Sequence, residues 1–342
     1  MPLVTARFVE RAGDNATDGI AKPACLPWRV GCCIVAAVRE LDGRRLNMSD
    51  HEVVPVLPPV KERLIEFYVR NRIPFILEGP PGTGKSLAAR YWVKRITGTD
   101  AVKIDITEDT ELTHVLGDID WKKLLAEASQ GGANGGPADF TELYGRYYVP
   151  SAAVRAMEEG RVLLIEELDR CGRDTLFPVF FDMIEYRTTY VPALQREVRA
   201  AEGFSCIITV NRDTDTGTVR LPDALLRRCR RVFIPMPDPE TEVRIVLANV
   251  PDAPERLVRR AVAAVQKLRR MEVEHVPVPS ETVQWVMDVI GMFGPDAGGD
   301  AEQLEAAIAA VCKSSEDEQA FRSAIRTAEG VARGDAWGVR RR

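Results

Sequence analysis

The amino-acid sequence predicts an α/β fold in which helices flank a parallel five-stranded sheet, followed by a smaller all-helical domain. Five short apolar runs recur between residues 74 and 234, and helical stretches separate most of them. Apolar runs of this length are typical of strands buried on both faces, and their alternation with helices indicates a parallel sheet. No further strand is predicted after Met236, where every remaining segment has a helical pattern.

The first predicted helix spans residues 59–70, because Val60, Leu64, Ile65 and Tyr68 fall on one helical face. The predicted strands are residues 74–77, 102–106, 162–165, 205–210 and 231–234. Helices are predicted between them at residues 86–96 and 150–158.

Two segments interrupt this alternation of strands and helices. Residues 108–148 form a long excursion that contains a Gly-rich stretch at 131–136. An excursion of this length in a compact domain is typical of a functional or a disordered segment. Residues 187–198 contain two β-prone stretches around a short Pro-Ala-Leu-Gln connection, which predicts a hairpin.

Pro237 and Pro239 restrict the backbone and indicate a hinge at the end of the α/β domain. The predicted organisation is an extension of unknown role at 1–50, the α/β domain at 51–236, a helical domain at 237–330 and a basic tail at 331–342. Helices of the helical domain are predicted at residues 240–248, 253–270, 280–292, 301–311 and 316–329.

The composition indicates a soluble cytoplasmic protein. The chain has 342 residues and a formal net charge of −5, without the basic excess expected of a nucleic-acid partner. Its seven cysteines include no C-x-x-C pair, so a zinc site is not expected. Free cysteines of this kind are typical of a reducing compartment. The apolar run at residues 30–38 has about half the length that spans a bilayer, so no membrane association is expected.

One loop has the spacing G-x-x-x-x-G-K-S, which predicts a site for the phosphates of ATP. Its glycines let backbone N–H groups surround the phosphates, Lys85 supplies a positive charge, and the Ser86 hydroxyl is a ligand for Mg²⁺. A chance Gly-rich turn is the alternative, but the preceding strand and the following helix favour the phosphate site. The predicted ATP-binding residues are Gly79, Pro80, Pro81, Gly82, Thr83, Gly84, Lys85 and Ser86.

Two acidic residues, Glu166 and Glu167, directly follow the apolar strand at 162–165. We expect Glu166 to hold the Mg²⁺ shell and Glu167 to orient or deprotonate the attacking water. The alternative is a strand that ends in solvent.

Asn211 follows the strand at 205–210, where an amide can position the lytic water; a turn-forming asparagine is the alternative. Arg228 belongs to a cluster of four arginines at 227–231. An arginine presented to the γ-phosphate of a neighbouring subunit stabilises transition-state charge, whereas a solvated basic turn is the alternative.

Taken together, these motifs resemble the AAA+ ATPases, and more narrowly the MoxR family. Residues 164–170 resemble the Walker B stretch, 209–212 resemble sensor 1, and 221–228 resemble the segment that ends in the arginine finger. The similarity covers about residues 50 to 290. It implies a ring, usually a hexamer, with ATP between subunits. It also implies an insert in helix 2 at 108–148 and a pre-sensor 1 insert at the hairpin.

The resemblance further implies a chaperone-like remodeller that acts on a protein client, commonly with a partner carrying a von Willebrand factor A domain. The chain departs from the family pattern at Glu166, where aspartate is usual, and at residues 278–282, which supply no sensor 2 arginine. The first hypothesis is therefore an ATP-driven remodeller. The alternatives are a nucleotide-gated scaffold with little hydrolysis, which these departures favour, and a nucleic-acid motor, against which the acidic balance argues.

Overall fold

A parallel five-stranded sheet forms the centre of the α/β part of the chain. The computed structural model describes residues 54–129, 140–211 and 220–328, all within one compact unit. The expectations for residues 1–50, for the Gly-rich stretch and for the tail lie outside the described residues. The strands are β1 (Phe75–Gly79), β2 (Val102–Asp105), β3 (Asp118–Ile119), β4 (Tyr148–Val149), β5 (Val162–Glu166), β6 (Thr188–Val191), β7 (Arg196–Arg199), β8 (Ser205–Asn211) and β9 (Arg230–Phe233).

The large sheet has the strand order β2-β5-β8-β1-β9, and each neighbouring pair is parallel. All five residues of β1 and of β5 are buried, as are the first six of β8. These strands are covered on both faces, which is why they stood out in the sequence as uninterrupted apolar runs. The predicted fold class is confirmed.

Helices cover the sheet and build the region that follows it. The helices are α1 (Pro59–Arg70), α2 (Lys85–Thr97), α3 (Leu112–Leu116), α4 (Trp121–Ser129), α5 (Phe140–Tyr147), α6 (Ala152–Glu158), α7 (Phe177–Phe181), α8 (Asp223–Arg228), α9 (Pro239–Asn249), α10 (Glu255–Leu268), α11 (Pro279–Phe293), α12 (Ala301–Ala306) and α13 (Glu318–Ala328). Within the described residues, no helix is both long and apolar enough to cross a lipid bilayer.

The two predicted interruptions have regular structure. The described part of the excursion at 108–148 contains α3, α4 and α5 and the two-stranded antiparallel ladder of β3 and β4. The predicted hairpin is confirmed, since β6 and β7 pair antiparallel from Thr188 opposite Arg199 to Val191 opposite Arg196. The π-helical turn Asp182–Tyr186 follows α7 and leads into this hairpin.

The helical region at residues 237–328 has an apolar core of its own, centred on the fully buried Trp285 of α11. One predicted helix, at 301–311, is divided, because α12 ends at Ala306 and a 3₁₀ turn follows at Ile308–Ala310. The carbonyl of Leu304, which a continuous helix would pair with the N–H of Ile308, instead accepts a hydrogen bond from the Trp285 indole at 3.0 Å. Packing against α11 thus replaces a helical hydrogen bond.

Candidate nucleotide-binding site

The loop between β1 and α2 has the conformation that its glycines permit. Gly82 and Gly84 adopt φ angles of +67° and +83°, which side-chain-bearing residues rarely adopt. A Cβ on Gly79 would lie 2.1 Å from the carbonyl oxygen of Ile234, so the close approach of β9 also requires glycine. Among residues 54–129, 140–211 and 220–328, no side chain caps α2, which leaves its first amide N–H groups available to an anion.

Lys85 is held inside this loop. Its Nζ donates hydrogen bonds to the carbonyl oxygens of Gly79 at 2.9 Å and Pro80 at 2.7 Å. The side chain is buried, and burial lowers the pKa of Lys85 to about 8 against the opposing attraction of the Asp169 and Glu167 carboxylates. A charged ammonium therefore lies at the phosphate loop beside two acidic side chains.

Glu166 ends β5 with only 7% of its surface exposed. Its Oε2 lies 2.6 Å from Nζ of Lys103 on the neighbouring strand β2, whereas its Oε1 has no hydrogen-bond partner within the described ranges. A buried carboxylate oxygen without a partner fits a ligand of Mg²⁺ or of a metal-bound water. Among the described residues, no group of three or more His, Cys, Asp or Glu side chains could hold a metal alone. A nucleotide-bound Mg²⁺, with one or two protein ligands, suits this arrangement.

Glu167 and Asn211 are brought together by the pairing of β5 with β8. The Asn211 amide donates to Oε1 of Glu167 at 3.4 Å, and Arg170 lies 3.1 Å from Oε2 of Glu167. The Glu167 N–H donates to the Thr209 hydroxyl at 3.1 Å. Glu167 has a φ of +56°, a strained conformation for a residue with a side chain, and strain of this kind is common at functional sites.

Arg228 lies at the end of α8 and contacts a different part of the chain. Its guanidinium is hydrogen-bonded to the Glu185 carboxylate and, at 2.8 Å, to the Ala224 carbonyl. It also stacks over the Phe181 ring, 5.4 Å from the centroid. In the part of the chain that the structure describes, none of these partners belongs to the phosphate loop or to the acids after β5. The structure therefore groups Lys85, Glu167 and Asn211 but not Arg228.

Sequence reasoning missed Asp169, a third acid in the same turn. It is 4% exposed, and its Oδ2 accepts a hydrogen bond from the Asn211 main-chain N–H at 3.1 Å. Its Oδ1 has no partner in the part of the chain that the structure describes. Burial raises the pKa of Asp169. The signal available was a third acid within four residues of the same strand end, but an acid in a turn is ordinarily solvated.

Sequence reasoning also left the site for the base unassigned. A cleft beside the phosphate loop offers about 360 Å³ of free space, including its open mouth. Three segments far apart in the sequence form it, so no local pattern could indicate it. The lining residues are Val56, Leu57, Pro58, Thr83, Ile234, Pro235, Met236, Pro237, Asp238, Thr241 and Ile245.

The helical region contacts the phosphate loop at the start of α11. A Cβ built on Gly82 would lie 2.6 Å from Cβ of Val278 and 3.2 Å from the Ser280 hydroxyl. Residues 278–282, where the family resemblance implied an arginine, therefore present an apolar and a hydroxyl side chain to the loop. This contact connects the helical region to the part of the site that surrounds phosphate.

Comparison with known proteins agrees with this geometry. Residues 74–229 match the family described as AAA domain (dynein-related subfamily). This segment is similar to AAA domains. The matched residues include the phosphate loop, both acids after β5, Asn211 and Arg228. AAA domains in general are nucleotide-hydrolysing ATPases.

The chain is similar to part of two curated relatives. It is 25% identical to midasin from Giardia intestinalis over 167 residues, which are 48% of this chain and 3% of midasin. It is 27% identical over 154 residues to an uncharacterized protein from Staphylococcus aureus, covering 45% of this chain and 52% of that protein. The chain thus spans about half the length of the staphylococcal relative and a small part of midasin.

Solved structures of NtrX from Brucella abortus are also similar. One of them, in complex with ADP, has a TM-score of 0.47 and 14% identity, and the similarity covers 80% of this chain and 59% of NtrX. A second NtrX structure has a TM-score of 0.49 with 14% identity, covering 83% of this chain and 62% of NtrX.

Proposed function

We propose that this chain binds ATP with Mg²⁺ at the phosphate loop and hydrolyses it. The observation that carries the proposal is the contact of Glu167 with Asn211 at the same sheet edge as the loop that contains Lys85. The strand order places β8 between β5 and β1, so the carboxyl ends of all three strands meet there. Ligands of open parallel sheets bind outside such strand ends.

Each residue of the site has a proposed role. Lys85 binds the β- and γ-phosphates, while Ser86 and Glu166 hold the magnesium, which neutralises charge on the phosphate oxygens. Glu167 accepts a proton from water as the water oxygen bonds to the γ-phosphorus and the bond to ADP breaks. The Asn211 amide orients the same water.

The cleft beside the loop is the proposed site of the adenine base. Leu57, Ile234 and Ile245 are apolar residues that line this cleft and suit a flat ring. Because Thr241 and Ile245 belong to α9, a base bound here would contact the helical region as well as the sheet. ATP binding would therefore close the helical region onto the α/β part, and hydrolysis would release it.

Arg228 is proposed to act on the ATP of a neighbouring subunit in a ring, as AAA+ proteins typically assemble into rings. Its contacts with Phe181 and Glu185, away from the phosphate loop of its own chain, support a role in trans.

Remodelling of a protein client, as in MoxR proteins, is the finer proposal. Its support is the exposure of Trp121 and Leu125 on α4 and of Tyr190 on the hairpin. Exposed apolar side chains on inserts are suited to contacts with another protein. A partner with a von Willebrand factor A domain belongs to the same proposal.

Calorimetry and phosphate release test the proposed chemistry. Wild-type protein should bind ATP in the presence of Mg²⁺ and release phosphate, Lys85→Ala should not bind, and Glu167→Gln should bind without turnover. Arg170→Gln is the matched control, since it changes an exposed partner of Glu167 but leaves the carboxylate in place. Turnover by Glu167→Gln at the wild-type rate would show that the role of Glu167 is wrong.

A nucleotide-gated scaffold with little hydrolysis is a second candidate. The observation in its favour is the ion pair of Glu166 with Lys103, which engages one oxygen of the carboxylate proposed to hold the metal and neutralises its charge. Phosphate release near background from wild-type protein that binds ATP would support the scaffold over the motor.

A further inference from the structure

Asp169 has the features of a functional carboxylate but no role in the proposed chemistry so far. It lies in the 3₁₀ turn Leu168–Arg170 directly after Glu167, and its side chain is almost completely buried. Its Oδ2 accepts the main-chain N–H of Asn211, whereas its Oδ1 has no partner among the described residues.

The unpaired oxygen is costly for a residue that serves structure alone. A buried polar atom without a hydrogen bond costs about 1–3 kcal/mol, and more when it carries charge. An asparagine could accept the same N–H with its side-chain oxygen, without a buried negative charge. A role limited to holding the end of β8 therefore does not account for a carboxylate.

The Asp169 carboxylate lies within electrostatic range of other charged groups of the site. Lys85 attracts it, Glu167 repels it and Arg170 attracts it, so the carboxylate lies in the electrostatic range of the phosphate-binding ammonium. Bound phosphates would bring further negative charge to this position. Lys85 offsets part of this negative charge, and a cation or its bound water between the two anionic groups would offset more of it.

We propose that Asp169 is a positioning residue whose free oxygen accepts a hydrogen bond from a water in the magnesium shell of the bound nucleotide. Its other oxygen holds the main chain of Asn211 in place. This inference rests on the proposed ATP site. With the Asp169 carboxylate at this position, the affinity for nucleotide depends on Mg²⁺, because without the metal the carboxylate and the phosphates repel each other. Carboxylates that bind the outer shell of a metal change its affinity by about 10- to 100-fold when they are replaced.

The test compares nucleotide binding with and without metal. Calorimetry with the non-hydrolysable ATP analogue AMPPNP, in Mg²⁺ and in EDTA, gives the factor by which Mg²⁺ tightens binding. In Asp169→Asn we expect this factor to fall at least about tenfold, with binding in EDTA unchanged or tighter. Asp169→Glu keeps the charge, so Mg²⁺ should tighten AMPPNP binding by a larger factor in Asp169→Glu than in Asp169→Asn. Asp174→Asn, an exposed acid five residues away, is the matched control and should not change it.

Equal weakening of binding in Mg²⁺ and in EDTA, or no change in either, would overturn the inference, because a structural role acts on both conditions alike. Asp169→Ser takes the place of Asp169→Asn if circular dichroism shows that the latter does not fold. Wild-type protein that binds no nucleotide would overturn the proposed function together with this inference. Wild-type binding with the same Mg²⁺ dependence in Asp169→Asn would overturn this inference alone.

Discussion

Lys103 and Glu166 form a largely buried ion pair between neighbouring strands, with Nζ of Lys103 2.6 Å from Oε2 of Glu166. Lys103 also lies 2.8 Å from Oδ1 of Asp105. Burial disfavours the charged lysine, but these two carboxylates outweigh burial and raise the pKa of Lys103. The pair neutralises Glu166 at the position where the resemblance places a metal-binding aspartate.

Substitution of Lys103 should destabilise the protein, and Mg²⁺ with ATP should restore part of the lost stability. We expect Lys103→Met to lower the free energy of unfolding by about 1–3 kcal/mol, less than for a fully buried pair because Lys103 is partly exposed. Urea unfolding, with and without Mg²⁺ and ATP, measures the loss and its recovery. Lys94→Met, at an exposed pair, should change stability by less than about 1 kcal/mol. The double variant Lys103→Met/Glu166→Gln removes the carboxylate charge that Lys103→Met leaves unpaired. If it were no more stable than Lys103→Met, loss of the ion pair would not be the cause of the destabilisation.

Alanine substitutions at Gly82 and Gly84 distinguish the stability cost of backbone strain from the cost of a clash with the helical region. Both need a left-handed φ, so alanine should cost about 1–2 kcal/mol at either position. A Cβ on Gly84 meets nothing within 4 Å, whereas one on Gly82 would overlap Val278. Gly82→Ala should therefore have the lower urea midpoint. Equal midpoints would contradict the contact, and partial recovery in Gly82→Ala/Val278→Gly would support it.

Glu242 holds the helical region together through a buried polar network. Its carboxylate has no exposed surface and accepts hydrogen bonds from Gln266 on α10, Arg269 in the following turn and Thr282 on α11. Glu242→Ala leaves the Arg269 charge buried without its partner, which should cost about 3–5 kcal/mol.

Glu240→Ala is the control for that substitution, because Glu240 is exposed and its ion pair with Arg259 should contribute less than about 1 kcal/mol. Chemical denaturation followed by circular dichroism measures the two losses. Similar losses in the two variants would show that the network does not stabilise the helical region.

Arg228→Ala tests the proposed role in a neighbouring subunit. The variant should bind ATP normally and lose about a thousandfold or more in turnover, as expected for an arginine finger. Mixing it with Lys85→Ala should restore part of the phosphate release, because each protein supplies what the other lacks. Arg227→Ala, an exposed neighbour, should keep wild-type turnover. No recovery in the mixture would be evidence against a role in trans.

The α/β architecture was predictable because its signals are local. Strands buried on both faces are uninterrupted apolar runs, so β5 and β8 were predicted to within one residue at each end. Pro59 begins α1, where proline at the first turn favours a helix. The division at Ala306 was not predictable, because it depends on an indole from another helix.

The class of fold and the phosphate loop were predictable from the sequence, since both follow from residue type and spacing along one stretch of chain. Three other features emerged from the three-dimensional structure: Lys103 neutralises Glu166, Asp169 is buried beside Asn211, and α11 contacts the loop. These relationships join residues that lie far apart in the sequence, or depend on the burial of a turn. They are set by strand register and by packing between elements, which no local pattern records.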